Sequence, residues 1–273
     1  MGFKVKTLNS VFGLAGILTV MTFYQVSAEP LKLGVLSIRP HFDQSATYSD
    51  NVFISHDNEV GDWTFNTIPG VSIEAGQTDE FKMNLNYNMT IQRFLDRDDQ
   101  DNIGHSVALQ STTVHPRWRA AATLNYSLAG DADTLVGDRI EAGRLSSATE
   151  ATYQITDKIN AGLSWGHSFS SFESGNFVDY DSDTIGGSVG FNVTPKTSIF
   201  GYGNYTLTDV NRGNDSQGYN IGAGVNGKIT SKLSANIRMG YGENEVDNVG
   251  QVSESYVASG GLDYTLSDKT SMH

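Results

Sequence analysis

From Phe81 to Gln92 the chain alternates without exception. Phe81, Met83, Leu85, Tyr87, Met89 and Ile91 are apolar, while Lys82, Asn84, Asn86, Asn88, Thr90 and Gln92 are polar. A period of two sends successive side chains to opposite faces of a strand. The length of the run constrains the fold further. Strands of globular proteins commonly run about five or six residues, whereas a tilted strand crossing a bilayer needs about 9–11. A run this long, apolar on one face and amide-rich on the other, fits a strand with lipid on one side and water on the other.

The pattern recurs. Apolar rows at every second residue occupy 118–128, 159–169, 185–193, 219–229, 233–241 and 256–266. Between their members lie small polar residues, for example Asn160, Gly162, Ser164, Gly166 and Ser168. The reading is an all-β chain, an antiparallel up-and-down transmembrane β-barrel of about 12 strands. They are expected near 33–48, 63–75, 81–95, 103–114, 118–129, 145–155, 159–169, 183–193, 198–208, 217–229, 233–242 and 254–266. Aromatic residues on both faces leave 200–207 ambiguous. Pro40 and Pro69 fall in the first two strands, where proline is tolerated at edges and bulges, and they are read as marking the seam.

A short turn returns with the strands: Thr156-Asp157-Lys158, Thr194-Pro195-Lys196, Thr230-Ser231-Lys232 and Ser267-Asp268-Lys269. Its lysines stand 38, 36 and 37 residues apart. Each interval holds two alternating segments and one longer acidic loop, so the repeat unit is a strand pair. In bacterial barrels the short turns face the periplasm and the longer loops face outside. The last copy leads only into Thr270, Ser271, Met272 and His273, so the chain is expected to lack C-terminal strands.

Residues 1–28 read as a cleaved signal peptide. Lys4 and Lys6 precede an apolar run from Val11 to Phe23, and Val26-Ser27-Ala28 is a small-residue cleavage site. The barrel domain is then 29–273, and the loss of two lysines moves the formal charge from −13 to −15. So acidic a chain excludes nucleic acid, whose binding rests on Lys and Arg neutralising phosphates. Without cysteine there are no disulfides and no thiolate chemistry. A hydrophobic fraction of 38% is low for a large soluble core and suits a barrel apolar outside and polar within.

Aromatic residues near strand ends (Trp63, Phe81, Trp118, Tyr126, Trp165, Phe169, Tyr256 and Tyr264) are expected to form girdles at the two membrane interfaces. Small polar side chains cannot fill a closed interior and point to a wide, watery lumen. Its candidate lining is Lys82, Asn84, Asn86, Asn88, Arg119, Asn125, Glu150, Arg238 and Asp263. Most of the 31 acidic residues fall in the longer loops, including Asp62, Asp96 to Asp101, Asp131 to Glu141, Asp179 to Asp183, Asp215 and Glu243 to Asp247. Asp179, Asp181 and Asp183 have the spacing of hard oxygen ligands. They lack the glycine and terminal glutamate of a calcium loop, so solvated acidic loops are the reading and no metal is assigned.

The histidines are the residues to consider for catalysis. His167 and Ser168 are adjacent and so point to opposite strand faces. His105, near Asp99 and Asp101 at the outer rim, is the best acid–histidine neighbourhood in the sequence. There is no H-E-x-x-H. The chain is therefore read as no enzyme, with no catalytic residue and no cofactor.

The stretch Ile38-Arg39-Pro40, then Tyr48-Ser49-Asp50-Asn51-Val52-Phe53, then Ile68-Pro69-Gly70-Val71-Ser72-Ile73 resembles the beta-barrel porin-2 family of outer-membrane proteins. The recurring T-[DPS]-K turns are similar too. The resemblance implies a bacterial outer-membrane channel, often tied to exopolysaccharide export, with outer-membrane lipid, polysaccharide and export-machinery proteins as partners. It supplies no catalytic residues, and relatives of that family are usually longer. The leading function is a porin-like conduit for polysaccharide or polar solutes. The alternative is a non-conducting surface or adhesion barrel whose acidic loops bind partners, and an outer-membrane hydrolase is the third.

Overall fold

The computed structural model describes residues 3–14, 17–53, 59–76, 78–133, 138–173, 177–228, 233–247, 250–267 and 270–272. Among these residues there are fourteen strands of 12 to 17 residues and two of three residues. They are β1 (Phe3–Leu14), β2 (Ile17–Ala28), β3 (Leu31–Leu33), β4 (Leu36–Ser49), β5 (Asp62–Ala75), β6 (Phe81–Phe94), β7 (Asn102–His115) and β8 (Trp118–Asp133). There follow β9 (Asp138–Gln154), β10 (Ile159–Phe172), β11 (Tyr180–Thr194), β12 (Thr197–Val210), β13 (Ser216–Lys228), β14 (Leu233–Val246), β15 (Gln251–Ser267) and β16 (Thr270–Met272). Hydrogen bonding follows chain order along β1-β2-β4 and onward to β16, with β3 against β4. Every pair with a described register is antiparallel. The chain is an all-β, up-and-down sheet.

The twelve expected strands are β4 to β15. Before them, β1 and β2 pair as a hairpin from Phe3↔Ala28 to Leu14↔Ile17. That hairpin occupies the segment read as a signal peptide. Its Val, Ile, Thr and Phe content carries strand propensity, which a count based on export features leaves out. Cleavage after Ala28 stays a proposal that N-terminal sequencing of the exported protein checks. The first expected strand, 33–48, is also broken. Gly34 takes φ +63°, a conformation open to glycine, and turns β3 back onto β4.

The prolines do not mark a seam. Pro40 stands where the partner of β4 changes from β2 (Ser27↔His41) to β3 (Leu31↔Ile38). Pro69 stands where the β5–β6 ladder steps from Thr67↔Ile91 to Gly70↔Asn88. Each occupies an interruption of one ladder, where its missing N–H costs least.

By contact density the chain divides into two compact units, residues 1–112, 123–147 and 169–179 in one and 113–122, 148–168 and 180–273 in the other. In the first, Arg39, Ser72 and Asn86 form one cross-strand row and His41, Gly70 and Asn88 the next. The opposite face carries Ile38, Ile73 and Leu85. In the second, Ser188, Tyr202, Gly222 and Gly240 share a polar row, while Phe191, Ile199, Val225 and Ile237 share an apolar one. The register therefore resolves the ambiguous strand: Ile199, Tyr205 and Leu207 lie on the apolar face, and Phe200 and Tyr202 on the polar one. Among the described residues no large side chain is fully buried, and Leu163, Met239 and Leu262 are 72%, 65% and 62% exposed. The apolar face covers no protein core.

Turns and loops close differently. At the turns the Thr156 hydroxyl oxygen accepts from the backbone N–H of Lys158 (3.3 Å) and Ile159 (3.1 Å), and the Thr194 hydroxyl oxygen accepts from Lys196 N–H (3.1 Å). A hydroxyl bonding the backbone two residues on pre-forms the turn, which explains why Thr begins the repeated motif. Residues 230–232 and 268–269 of the other copies lie outside the described residues.

At the loops, an aspartate just before the next strand accepts from the last N–H of the previous one. Asp101 binds Phe94 N–H (2.9 Å), Asp179 binds Phe172 N–H (2.8 Å) and Asp215 binds Val210 N–H (2.8 Å). Asp62 is 2% exposed; its carboxylate accepts from Trp63 N–H (2.6 Å) and Asp96 N–H (3.3 Å). These acids are more than solvated loop charges, because each accepts from a backbone donor at a strand end or in a loop, and Asp62 does so while buried. The expected third loop is also largely strand, since β8 runs to Asp133 and β9 starts at Asp138.

Replacing the buried Asp62 by Ala removes the acceptor of the Trp63 and Asp96 backbone N–H groups and is expected to cost about 1–3 kcal/mol. An Asp99→Ala change, at an exposed acid that accepts only from the neighbouring Gln100 side chain, is expected to stay within about 0.5 kcal/mol. Urea titrations of the folded protein followed by tryptophan fluorescence compare them.

Candidate functional site

The polar face of β11 to β15 is the most built surface in the second unit. Glycines form its floor and aromatic rings lie on it. A Cβ added at Gly222 would meet the Tyr202 hydroxyl at 2.5 Å, and one at Gly240 would meet the same hydroxyl at 2.8 Å. A Cβ at Gly224 would run into the Phe200 ring. Cross-strand pairing puts Gly222 and Gly224 directly opposite Tyr202 and Phe200, and the absent side chains let the rings lie along the sheet. Phe200 and Tyr202 stand 6.2 Å apart at 34°, and the Arg238 guanidinium sits over the Phe200 ring at 5.5 Å, within cation–π range.

Six of the nine candidate lining residues can be placed by register or alternation on a polar face. Lys82, Asn84, Asn86 and Asn88 alternate on β6, and Asn88 Oδ1 meets His41 Nε2 at 2.7 Å across Gly70. Arg238 and Asp263 stand on the polar face of β14 and β15, opposite Gly224 and Ser234. Asp263 borders a hollow of about 440 Å³ with Asn192, Lys196, Asn226 and Lys228. Arg119 and Asn125 lie in β8 and Glu150 in β9, all three exposed. Lys82, Asn84, Asn86, Asn88 and Asn125 belong to the first unit, and Arg119, Glu150, Arg238 and Asp263 to the second. Missing from the sequence reading were His41, Phe200, Tyr202 and the glycine floor. The signal for them was the pairing of an aromatic on one strand with a glycine on the next, which needs the register.

A larger concavity of the second unit, about 1450 Å³, is bordered by the apolar face, with Leu163, Val189, Ile199, Val225 and Met239 in its lining. Its chemistry suits hydrocarbon rather than a polar solute. Toward the loops the same face carries an aromatic belt of Trp165, Tyr205, Tyr219, Tyr241 and Tyr256, in which Tyr241 meets Tyr219 at 6.2 Å and Tyr256 at 5.3 Å.

The acid–histidine neighbourhood expected at His105 is not there. His105 Nδ1 meets the Tyr87 hydroxyl at 3.0 Å. Asp101 instead pairs with Arg93 at 2.7 Å, and Asp99 accepts from the Gln100 side chain. The histidine that does meet acids is His167, on β10, whose partners Asp181 and Asp183 come from β11.

No family model matches the chain, and no curated protein matches it in sequence. Among solved structures it is similar to OmpT expressed in the outer membrane of Vibrio cholerae, at 11% identity and TM-score 0.48, over 93% of this chain and 97% of that one. It is also similar to a FadL homologue of Pseudomonas aeruginosa, at 10% identity and TM-score 0.40, over 89% and 76%. OpdK of Pseudomonas aeruginosa, solved with vanillate, is similar at 8% identity and TM-score 0.39, over 90% and 93%. The chemistry of this chain's own two faces carries the reading that follows.

Substituting Ala at Gly222 places a methyl 2.5 Å from both the Tyr202 hydroxyl and the Met239 carbonyl oxygen. The expected loss is about 1–3 kcal/mol, as for overpacking. Combining it with Tyr202→Phe should recover only part, because the carbonyl is backbone and stays. Urea midpoints of the single and double variants check this.

Proposed function

We propose that this chain is a porin-like β-barrel channel of the bacterial outer membrane, and that its cargo is neutral polysaccharide moving outward. The observation that supports it most is the division of one antiparallel sheet into an exposed apolar face and a face of small polar residues. Covering apolar surface is worth about 25 cal/mol per Å², and no described side chain covers this one. Acyl chains do so in a bilayer, and the tyrosine and tryptophan belt fits the interface above them.

The other face calls for water. Oδ1 atoms of Asp43, Asn220 and Asn226 are shielded yet have no protein hydrogen-bond partner among the described residues, and shielded polar atoms need one. A hydrated lumen supplies it. Lys82, Arg39, Asp43 and Glu74 in the first unit and Arg238 and Asp263 in the second are charges of both signs scattered among amides, serines and glycines, a mixed lining that favours uncharged solutes over ions of one sign. Phe200 and Tyr202 add flat aromatic surface, which matches the apolar C–H face of a sugar ring. The resemblance to the beta-barrel porin-2 family points to the same cargo. The adhesion alternative draws less support, because Asp62, Asp101, Asp179 and Asp215 are engaged in closing loops.

Planar-bilayer recordings of the whole protein are expected to show discrete conductance steps that neutral oligosaccharides partly block. Tyr202→Ala should weaken the block by roughly 0.5–1.5 kcal/mol, the scale of one aromatic contact, and Arg238→Glu should shift ion selectivity toward cations. A correctly inserted protein that never conducts overturns the channel. Conductance insensitive to sugars overturns only the cargo.

A further inference from the structure

The His167 cluster has a geometry that an ion pair alone does not explain. His167 Nδ1 lies 3.3 Å from Asp183 Oδ1 and 3.4 Å from Asp181 Oδ1, and the three ligand atoms all fall within 4.8 Å of one another. One N–H cannot point well at two carboxylates, and two carboxylates this close repel each other. A divalent cation resolves both conflicts, since neutral imidazole with two carboxylates carries two negative charges. We propose that His167, Asp181 and Asp183 form a binding site for a borderline divalent transition metal of the Zn²⁺ type.

The distances favour that class. Zn²⁺ binds imidazole nitrogen and carboxylate oxygen at about 2.0–2.2 Å in tetrahedral geometry, which sets ligand atoms about 3.3–3.5 Å apart. The two measured nitrogen–oxygen distances already have that separation. Imidazole in the donor set selects Zn²⁺, Cu²⁺ or Ni²⁺ over the hard cations. Three protein ligands leave a fourth position for water. The side chains are 23%, 48% and 45% exposed for His167, Asp181 and Asp183, so an ion can enter from solvent.

The sheet holds the ligands in place. Asp181 and Asp183 alternate on β11 and therefore share a face, and His167 reaches them from β10. Trp165 Nε1–H donates to Asp183 Oδ1 at 3.0 Å, and its ring stacks on His167 at 6.1 Å and 17°. Such outer contacts orient metal ligands and commonly change affinity about 10- to 100-fold. The site belongs to the apolar face, at the loop end of the aromatic belt, and does not depend on whether the lumen conducts.

The test uses the full chain without a polyhistidine tag, folded in detergent micelles. Zn²⁺ is titrated against a chelating dye and Trp165 emission is followed in parallel. One equivalent should bind, with His167→Gln and Asp183→Asn each weakening it at least about tenfold and His105→Gln leaving it unchanged. His167→Gln binding as tightly as the parent, or no saturable binding by the parent, overturns the proposal. Co²⁺ gives a reading that needs no variant: the intense visible bands of a four-coordinate ion support the site, and the weak bands of an octahedral ion overturn it.

Discussion

Antiparallel backbone pairing is the constraint on which the rest of this structure depends. In the bilayer proposed for this sheet every N–H and C=O must find a partner within the protein, and the ladders supply one at almost every position of the long strands. Once the backbone is satisfied in this way, side chains are free to divide cleanly between two faces. A large core is then not required: among the described residues no large side chain is fully buried, many apolar side chains lie exposed on one face, and glycine-rich rows lie on the other. The same constraint explains the prolines. Each sits where a ladder already lapses, so the absent donor removes little.

The ends of the strands pose the same demand in a harder form, because the ladder stops there. Two solutions are used, one for each side of the sheet. At the tight turns a threonine hydroxyl takes the N–H two residues on, which fixes the turn within the local sequence. At the wider loops a carboxylate reaches back five to seven residues to the last strand donor, and charge-assisted bonds of this kind are the stronger sort. Much of the acidity of this chain therefore has a structural origin. A net charge of −13 need not mean that the loops were built to bind cations.

Strand existence was legible because a period of two needs nothing beyond the local sequence, and β6 shows it without a single exception. The alternation of Thr-led turns and acid-led loops was legible for the same reason. Register was not. Phe200 and Tyr202 cannot be assigned to a face until Gly222 and Gly224 are known to stand opposite them. The hairpin of β1 and β2 was hidden by export features that compete with strand propensity in the same residues. His167 illustrates the limit most sharply. Its neighbours in sequence include Ser168, which points the other way, whereas its partners lie 14 and 16 residues on, across a hairpin. His105 fails in the opposite sense, close to acids in sequence and bonded to Tyr87 in space.

The polar face joins two demands that pull against each other. The proposed hydrated passage wants small side chains, and glycine supplies the smallest. Glycine also gives no side chain to hold neighbouring strands in register and costs chain entropy on folding. Laying Tyr202 and Phe200 over the glycines of the next strands answers both, since the rings cover bare backbone yet protrude little. The Arg238 guanidinium over Phe200 adds a charge on top of the ring without widening its footprint. A wall built this way is flat, stiff and partly aromatic. In the proposed channel, such a wall would support a sugar chain sliding past.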